Sequence, residues 1–293
     1  MNRFLTTIAI VTTLAIAQGC TQFLKTSEHS TLNPITEHST DHAVAQTKQA
    51  HSSHNDTHTH STNTQAKLTK TGRIYPNIQT SLEITVQNSS GQPITQFDRI
   101  QEQVMHLIAV SDDLQTFQHL HPIAQGNGQF AIAMKFPQAG NYTLFSDYQP
   151  TGQAEHVSVL KTQVDGERPA QPAINWSRSK TLGQTSVGFA PPKTPIKSGE
   201  EAILRFHLQD ANTQQPVTNL QPYLGEKGHL VILRQSPNLS QEDYIHAHAV
   251  PNTSASQVHF ATRFPQPGKY KVWGQFNRNG EIITADYWVE VTQ

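Results

Sequence analysis

The chain has 293 residues, a formal net charge of −1 and 15% charged residues, so no basic surplus points to nucleic acid or to an anionic membrane surface. An apolar content of 35% supports folded cores, and the length suits two domains. The unusual count is 16 histidines against a single cysteine.

The first twenty residues account for that cysteine. Arg3 supplies a short positive start, residues 5–17 are rich in apolar side chains, and the segment closes Ala17-Gln18-Gly19-Cys20. The run is short of the ~20 residues that a spanning helix needs, and residues 1–19 read as a signal peptide. Small residues just before a cysteine resemble the lipobox of bacterial lipoproteins. That resemblance implies that Cys20 carries acyl chains such as palmitate and ties the protein to a lipid membrane. Ordinary secretory cleavage with an incidental cysteine is the alternative. Thr21 rather than Asp follows Cys20, which favours the outer membrane, facing the periplasm, in a host with two membranes. With Cys20 lipidated no free thiol remains, so disulfides and thiolate metal sites are excluded. Any metal must then be held by imidazole, carboxylate or thioether groups.

Residues 20–66 are dominated by Ser, Thr, Asn, Gln and His, with almost no large apolar residue after Phe23 and Leu24. Such a segment cannot bury enough surface to offset the entropy of ordering it, and a disordered tether is expected. His29, His38, His42, His51, His54, His58 and His60 lie within it. The cluster His51, His54, His58 and His60 has a metal-collecting composition and would supply weak sites.

Domain one is expected over residues 67–164. Leu82, Ile84 and Val86 alternate with polar residues as in a half-buried strand, and Ser89-Ser90-Gly91 marks a turn. The stretch MHLIAVSDDLQTFQHLHP (105–122) reads as a hairpin, and further strands are expected at 130–136, 141–148 and 156–164. About seven short strands at this spacing fit a β-sandwich. Residues 165–184, with Pro169 and Pro172, read as a linker, and 185–293 as domain two. There Ala202, Leu204, Phe206 and Leu208 share one strand face, as in the first domain's strand.

Domain two repeats the first. GHLVILRQSPNLSQEDYIHAHAVP (228–251) is a second version of the hairpin, and FPQAGNYTLFSDY (136–148) returns as FPQPGKYKVWGQF (264–276). The corner phrases Gly140-x-Tyr142 and Gly268-x-Tyr270 resemble the tyrosine corner of immunoglobulin-like domains; Leu144 and Val272 stand where the immunoglobulin cysteine would be. The expected architecture is all-β: two tandem Ig-like sandwiches after a His-rich tether.

Each hairpin places one histidine at its head and a His-x-His pair at its tail: His106, His119 and His121, then His229, His246 and His248. Strand residues alternate faces, so both imidazoles of a His-x-His pair project from one side. With 111–116 as loop, Val110 faces Phe117, Ile108 faces His119 and His106 faces His121, and opposed residues share a face. The second copy is four residues longer between its outer histidines, an even insertion that preserves the facing. There His229 faces His248, and Arg234 faces Asp243. Three imidazoles on one face can reach a common ion. Met105 points to the other face and reads as core. His156, His207 and His259 read as ordinary strand histidines.

The phrases MHLIAVSDDLQTFQHLHP, PYLGEKGHLVIL with YIHAH, and FPQPGKYKVWGQF resemble the YtkA-like group of secreted bacterial Ig-like β-sandwiches, over about residues 67–293. That resemblance implies an envelope location and a link to copper and heavy-metal resistance, with metal-efflux or metal-resistance proteins as partners. Here Ala249 follows His248 where Pro122 follows His121, so the second site departs from the first. The functional expectation is an envelope lipoprotein that binds or buffers a copper or zinc ion through two three-histidine sites. The competing reading is an Ig-like interaction module with structural histidines. An enzyme is not expected, because no acidic residue recurs beside both sets; Asp147 and Glu155 occur only in the first copy.

Overall fold

The computed structural model describes residues 64–192 and 194–293. The signal segment, Cys20 and the tether histidines His51, His54, His58 and His60 fall outside the described residues. The first repeat runs through β1 (Thr64–Lys70), β2 (Gln79–Asn88), β3 (Phe97–Asp98), β4 (Met105–Ser111), β5 (Phe117–Leu120), β6 (Ile123–Gly126), β7 (Gln129–Lys135), β8 (Gly140–Pro150) and β9 (His156–Val164). Strands β1-β2-β7-β6 form one sheet; β8-β4-β5 form the other, with β3 and β9 also paired to β8. The second repeat follows with β10 (Ser179–Leu182), β11 (Thr185–Ala190), β12 (Ile196–Lys197), β13 (Glu201–Asp210), β14 (His229–Arg234), β15 (Tyr244–His248), β16 (Gln257–Arg263), β17 (Gly268–Arg278) and β18 (Glu281–Thr292). Its sheets are β10-β11-β13-β16 and β12-β18-β17-β14-β15.

The chain is therefore all-β, and the two repeats are sandwiches of matching plan. The histidine hairpin β4-β5 corresponds to β14-β15, and β8-β9 to β17-β18. Even a small parallel contact recurs, Ile74 beside Val164 and Ile196 beside Val291. Two boundaries differ from expectation. Strand β1 starts at Thr64, because Ala66 and Leu68 pack on the first core, and β10 lies inside the expected linker, because Leu182 packs on the second. Among the described residues the only helical turn is the 3₁₀ turn Gln241–Asp243, and no helix is long and apolar enough to cross a membrane.

Alternation explains each core. On β2, Leu82, Ile84 and Val86 turn inward while their neighbours stay at least partly exposed, and Ala202, Leu204, Phe206 and Leu208 do the same on β13. The corners behave as the sequence implied. Tyr142 donates its hydroxyl to the Gln138 carbonyl at 3.0 Å and Tyr270 to the Gln266 carbonyl at 2.7 Å. Gly140 at φ +131° and Gly268 at φ +143° open those corners in a backbone region that side chains resist.

Strand β4 breaks the alternation. All seven of its residues are buried, because it is covered on both faces. Met105, Leu107 and Ala109 enter the first sandwich, whereas Ile108 and Val110 join Phe145 and Val157 in a separate cluster with Val231, Leu233, Tyr244, Trp273 and Trp288 of the second. This third core is the joint between the sandwiches. Two aromatic stacks cross it, Phe117 on Trp273 at 4.9 Å and Phe145 on Tyr244 at 5.0 Å. Phe117 corresponds to Tyr244 and Phe145 to Trp273 in the repeat, so one contact is made twice with the repeats exchanged. The sandwiches therefore meet face to face about an approximate two-fold axis.

Candidate metal centre

The pairing register puts Val110 opposite Phe117 and Ile108 opposite His119; it ends at Leu107 and Leu120, one residue short of His106 and His121, whose rings nevertheless meet. All three imidazoles lie on the face of the hairpin that meets the second sandwich. Their ring centroids are 5.1 Å (His106–His119), 5.1 Å (His106–His121) and 4.9 Å (His119–His121) apart. Three imidazoles bound tetrahedrally to one ion at about 2.0–2.1 Å have centroids roughly 5 Å apart, so this triangle has the size of a three-histidine site.

Hydrogen bonding sets the direction of the lone pairs. His106 Nε2 lies 2.9 Å from the Ile100 carbonyl, which can only accept, so the proton resides on Nε2 and Nδ1 carries the lone pair. That Nδ1 is directed at His119 Nε2, 2.9 Å away. A histidine anchored through one ring nitrogen to a backbone carbonyl, with the other turned inward, is the arrangement that orients metal ligands. His121 Nε2 is buried and has no hydrogen-bond partner. Met105 points into the first core, as its strand position requires.

The second hairpin keeps its expected register, His229 opposite His248, and Arg234 Nε binds Asp243 Oδ1 at 2.7 Å. Its histidines gather differently. His229 Nδ1 and His246 Nε2 are 3.4 Å apart, and His229 Nε2 is buried without a partner in hydrogen-bond geometry. His246 Nδ1 instead meets Asp147 Oδ2 of the first sandwich at 3.2 Å, and Tyr244 donates its hydroxyl to the same oxygen at 3.2 Å. His248 is exposed at the rim, stacked on His246 at 5.5 Å and bonded to Gln101. Among the described residues, two groups have ligand atoms close enough together to hold an ion: His106, His119 and His121, and Asp147, Glu155 and His246.

Sequence spacing alone places the two sets in separate domains, yet the structure sets them against each other across the joint. His106 lies 6.3 Å from His229 and 5.7 Å from His246, and His119 lies 5.8 Å from His229, ring centre to ring centre. The two-fold relation holds here as well. Asp147 is paired with His106 on the neighbouring strand and reaches His246; Gln275 is paired with His229 and reaches His119 Nδ1 at 2.7 Å. Because Asp147 and Gln275 are repeat equivalents, one half of the centre carries a carboxylate where the other carries an amide. A surface pocket of about 310 Å³, bordered by Phe117, His119, Tyr223 and Gln275, opens onto His119.

Burial governs the charge state. It is the main cause that pushes His106 down to about 3 and His229 to about 2, reinforced in both by neighbouring histidines. Burial also holds His119 well below the usual value and lowers His121 and His246. It works oppositely on the carboxyls, raising Asp147 to about 6 and Glu155, with the added repulsion of Asp147, to about 8. At neutral pH the centre therefore holds uncharged imidazoles beside a carboxyl pair that retains a proton. Glu155 shares that proton with Asp147, whose Oδ1 is buried with no other hydrogen-bond partner. Uncharged lone-pair donors, a negative charge and orphaned polar atoms in one buried space suit a cation.

Asp147 and Glu155 lack counterparts in the second copy, so the repeat by itself does not mark them. The signal that could have found them is the unbroken apolar run of MHLIAV and HLVIL, which marks strands buried on both faces and hence a partner for the histidine face. His156, His207 and His259 belong to neither group.

No curated protein matches the chain. Among solved structures, similar ones include trypsin-activated alpha-2-macroglobulin from Escherichia coli (11% identity, TM-score 0.27, 78% of this chain and 16% of that one). The elastase-activated Escherichia coli form (13%, 0.27, 78% and 20%) and the methylamine-reacted Salmonella form (12%, 0.27, 78% and 15%) are similar to the same degree. The chain spans between 15% and 20% of the length of those proteins. Residues 42–165 and 181–293, most of the sequence, match a single family, and the chain belongs to it: the family described as Domain of unknown function (DUF8832).

Proposed function

We propose that the protein is a bacterial envelope lipoprotein that binds or buffers copper or zinc, with His106, His119 and His121 as the principal ligands. The observation that carries this reading is the triangle of neutral rings about 5 Å apart, with the His106 lone pair directed inward and His121 Nε2 lacking any partner. Imidazole suits copper, zinc and nickel alike, and the resemblance to YtkA-like modules favours copper. The bound ion is held rather than used in chemistry on a substrate. Anchorage through acylated Cys20 and exchange of the ion with metal-efflux or metal-resistance proteins rest on the sequence.

The test is Co(II) and Zn(II) titration of the lipid-free mature chain, with a weak chelator present to suppress tether binding. Tetrahedral nitrogen coordination gives Co(II) an intense visible absorption, expected in the wild type and lost in His106→Ala and His121→Ala. Equal binding by wild type and both variants would return the histidines to a structural role and favour the interaction-module reading.

A further inference from the structure

The second group differs in kind from the first. Asp147 comes from β8, Glu155 from the turn before β9, and His246 from β15 of the other sandwich, with ligand atoms all within 4.8 Å of one another. Asp147 is fully buried; its Oδ2 takes bonds from Tyr244 and His246, and, the neighbouring Glu155 carboxyl aside, its Oδ1 has no hydrogen-bond partner. A fully buried carboxylate oxygen facing a second carboxyl and an imidazole is costly unless a cation or a proton sits between them. The three-histidine triangle provides no negative charge. Two carboxylates and one imidazole form a harder donor set, suited to ions that accept oxygen ligands.

We propose that Asp147, Glu155 and His246 form a second ion site, distinct in chemistry from the three-histidine site, that takes a divalent cation of the Mn(II) or Zn(II) type and ties one sandwich to the other. This rests on the metal-binding reading above and extends it to a two-ion centre. The groups adjoin through His106 and His246, whose rings are 5.7 Å apart. Two carboxylates from the first sandwich and an imidazole from the second make the ion a cross-link, so its binding strengthens the joint already formed by the third core. The repeat explains the asymmetry: Gln275 stands where Asp147 stands in the other half, and an amide cannot supply the charge.

The experiment uses Mn(II), which imidazole-only sites and a histidine-rich tether bind poorly, and follows free Mn(II) by its electron paramagnetic resonance signal as the mature full chain is added. We expect binding of a single Mn(II) by the wild type and by His121→Ala, and at least tenfold weaker binding by Glu155→Gln and by His246→Gln. Glu155 is only half-buried, so the conservative Glu155→Gln variant keeps the test usable if changes at buried Asp147 prevent folding. Mn(II) binding unaffected by Glu155→Gln in a chain of wild-type melting temperature overturns the proposal. So does failure of the wild type to bind Mn(II) and to lose any Zn(II) through Glu155→Gln. Loss of Co(II) absorption in His121→Ala together with either of these results leaves the three-histidine reading standing alone. The reverse pattern removes that reading and keeps this site.

Discussion

Trp273→Ala tests whether the joint between the sandwiches builds the centre. Trp273 is 2% exposed, stacks on Phe117 with rings 15° from parallel, and belongs to the interface cluster rather than to either sandwich's own core. A large aromatic side chain buries roughly 150–250 Å², and its truncation to alanine in a packed site costs about 3–5 kcal/mol. The loss falls on the joint alone, since Tyr270, Val272 and Phe276 keep β17 in the second core. At about 2–4 °C per kcal/mol for a chain of this size, the melting temperature should drop by roughly 6–20 °C. In differential scanning calorimetry the transition should also separate into two, one for each sandwich. Gln275, two residues along, contacts His119, so Co(II) and Zn(II) affinity should fall although no ligand is altered. Trp176→Ala is the control, because Trp176 is 41% exposed and such a change costs about 0.5 kcal/mol or less. A melt shifted by less than about 2 °C, or wild-type metal affinity in a chain whose sandwiches melt separately, would refute the reasoning.

Zn(II) at a hundred times its dissociation constant should stabilise the wild type by about 2.7 kcal/mol, measurable as a higher melting temperature that His106→Ala abolishes. His229→Ala should weaken the same ion, because His229 lies against His106 and His119 across the joint. The pH dependence of the ion-free protein has two limbs. His106 and His229, lowered from 6.5 to about 3 and about 2, contribute stability that is complete above about pH 6.5 and lost as pH falls toward those values. Glu155 and Asp147, raised to about 8 and about 6, contribute stability that is complete at low pH and lost as pH rises through those values. Melting temperature should therefore peak near about pH 6.5 and decline on either side, with saturating Zn(II) removing the alkaline decline. Tyr142→Phe removes the hydroxyl that donates to the Gln138 carbonyl and accepts from its backbone amide, and Tyr270→Phe the bond to the Gln266 carbonyl; each should cost about 1–2 kcal/mol in denaturant unfolding. Deleting residues 21–63 should reduce the number of ions bound in equilibrium dialysis and leave the melting temperature nearly unchanged, because the segment is too poor in apolar residues to add a core.

The strands, their faces and the hairpin registers were legible in the amino-acid sequence because they depend on local periodicity. Leu82, Ile84 and Val86 must share a face, and a His-x-His pair must project from one side. An even insertion must return His229 opposite His248, as it does. The three-histidine triangle follows from the same rule, since it lies within one hairpin. What joins that triangle to His229 and His246, and Asp147 to His246, is a contact between outer sheet faces about a hundred or more residues apart in the chain, and no local period encodes it. The outward apolar residues Ile108, Val110, Val231 and Leu233 require some cover, but only the tertiary structure decides that each repeat covers the other about a two-fold axis. That packing removes water from Asp147 and brings it to His246, and it sets the two histidine sets, expected in separate domains, against each other in one cluster with unlike halves.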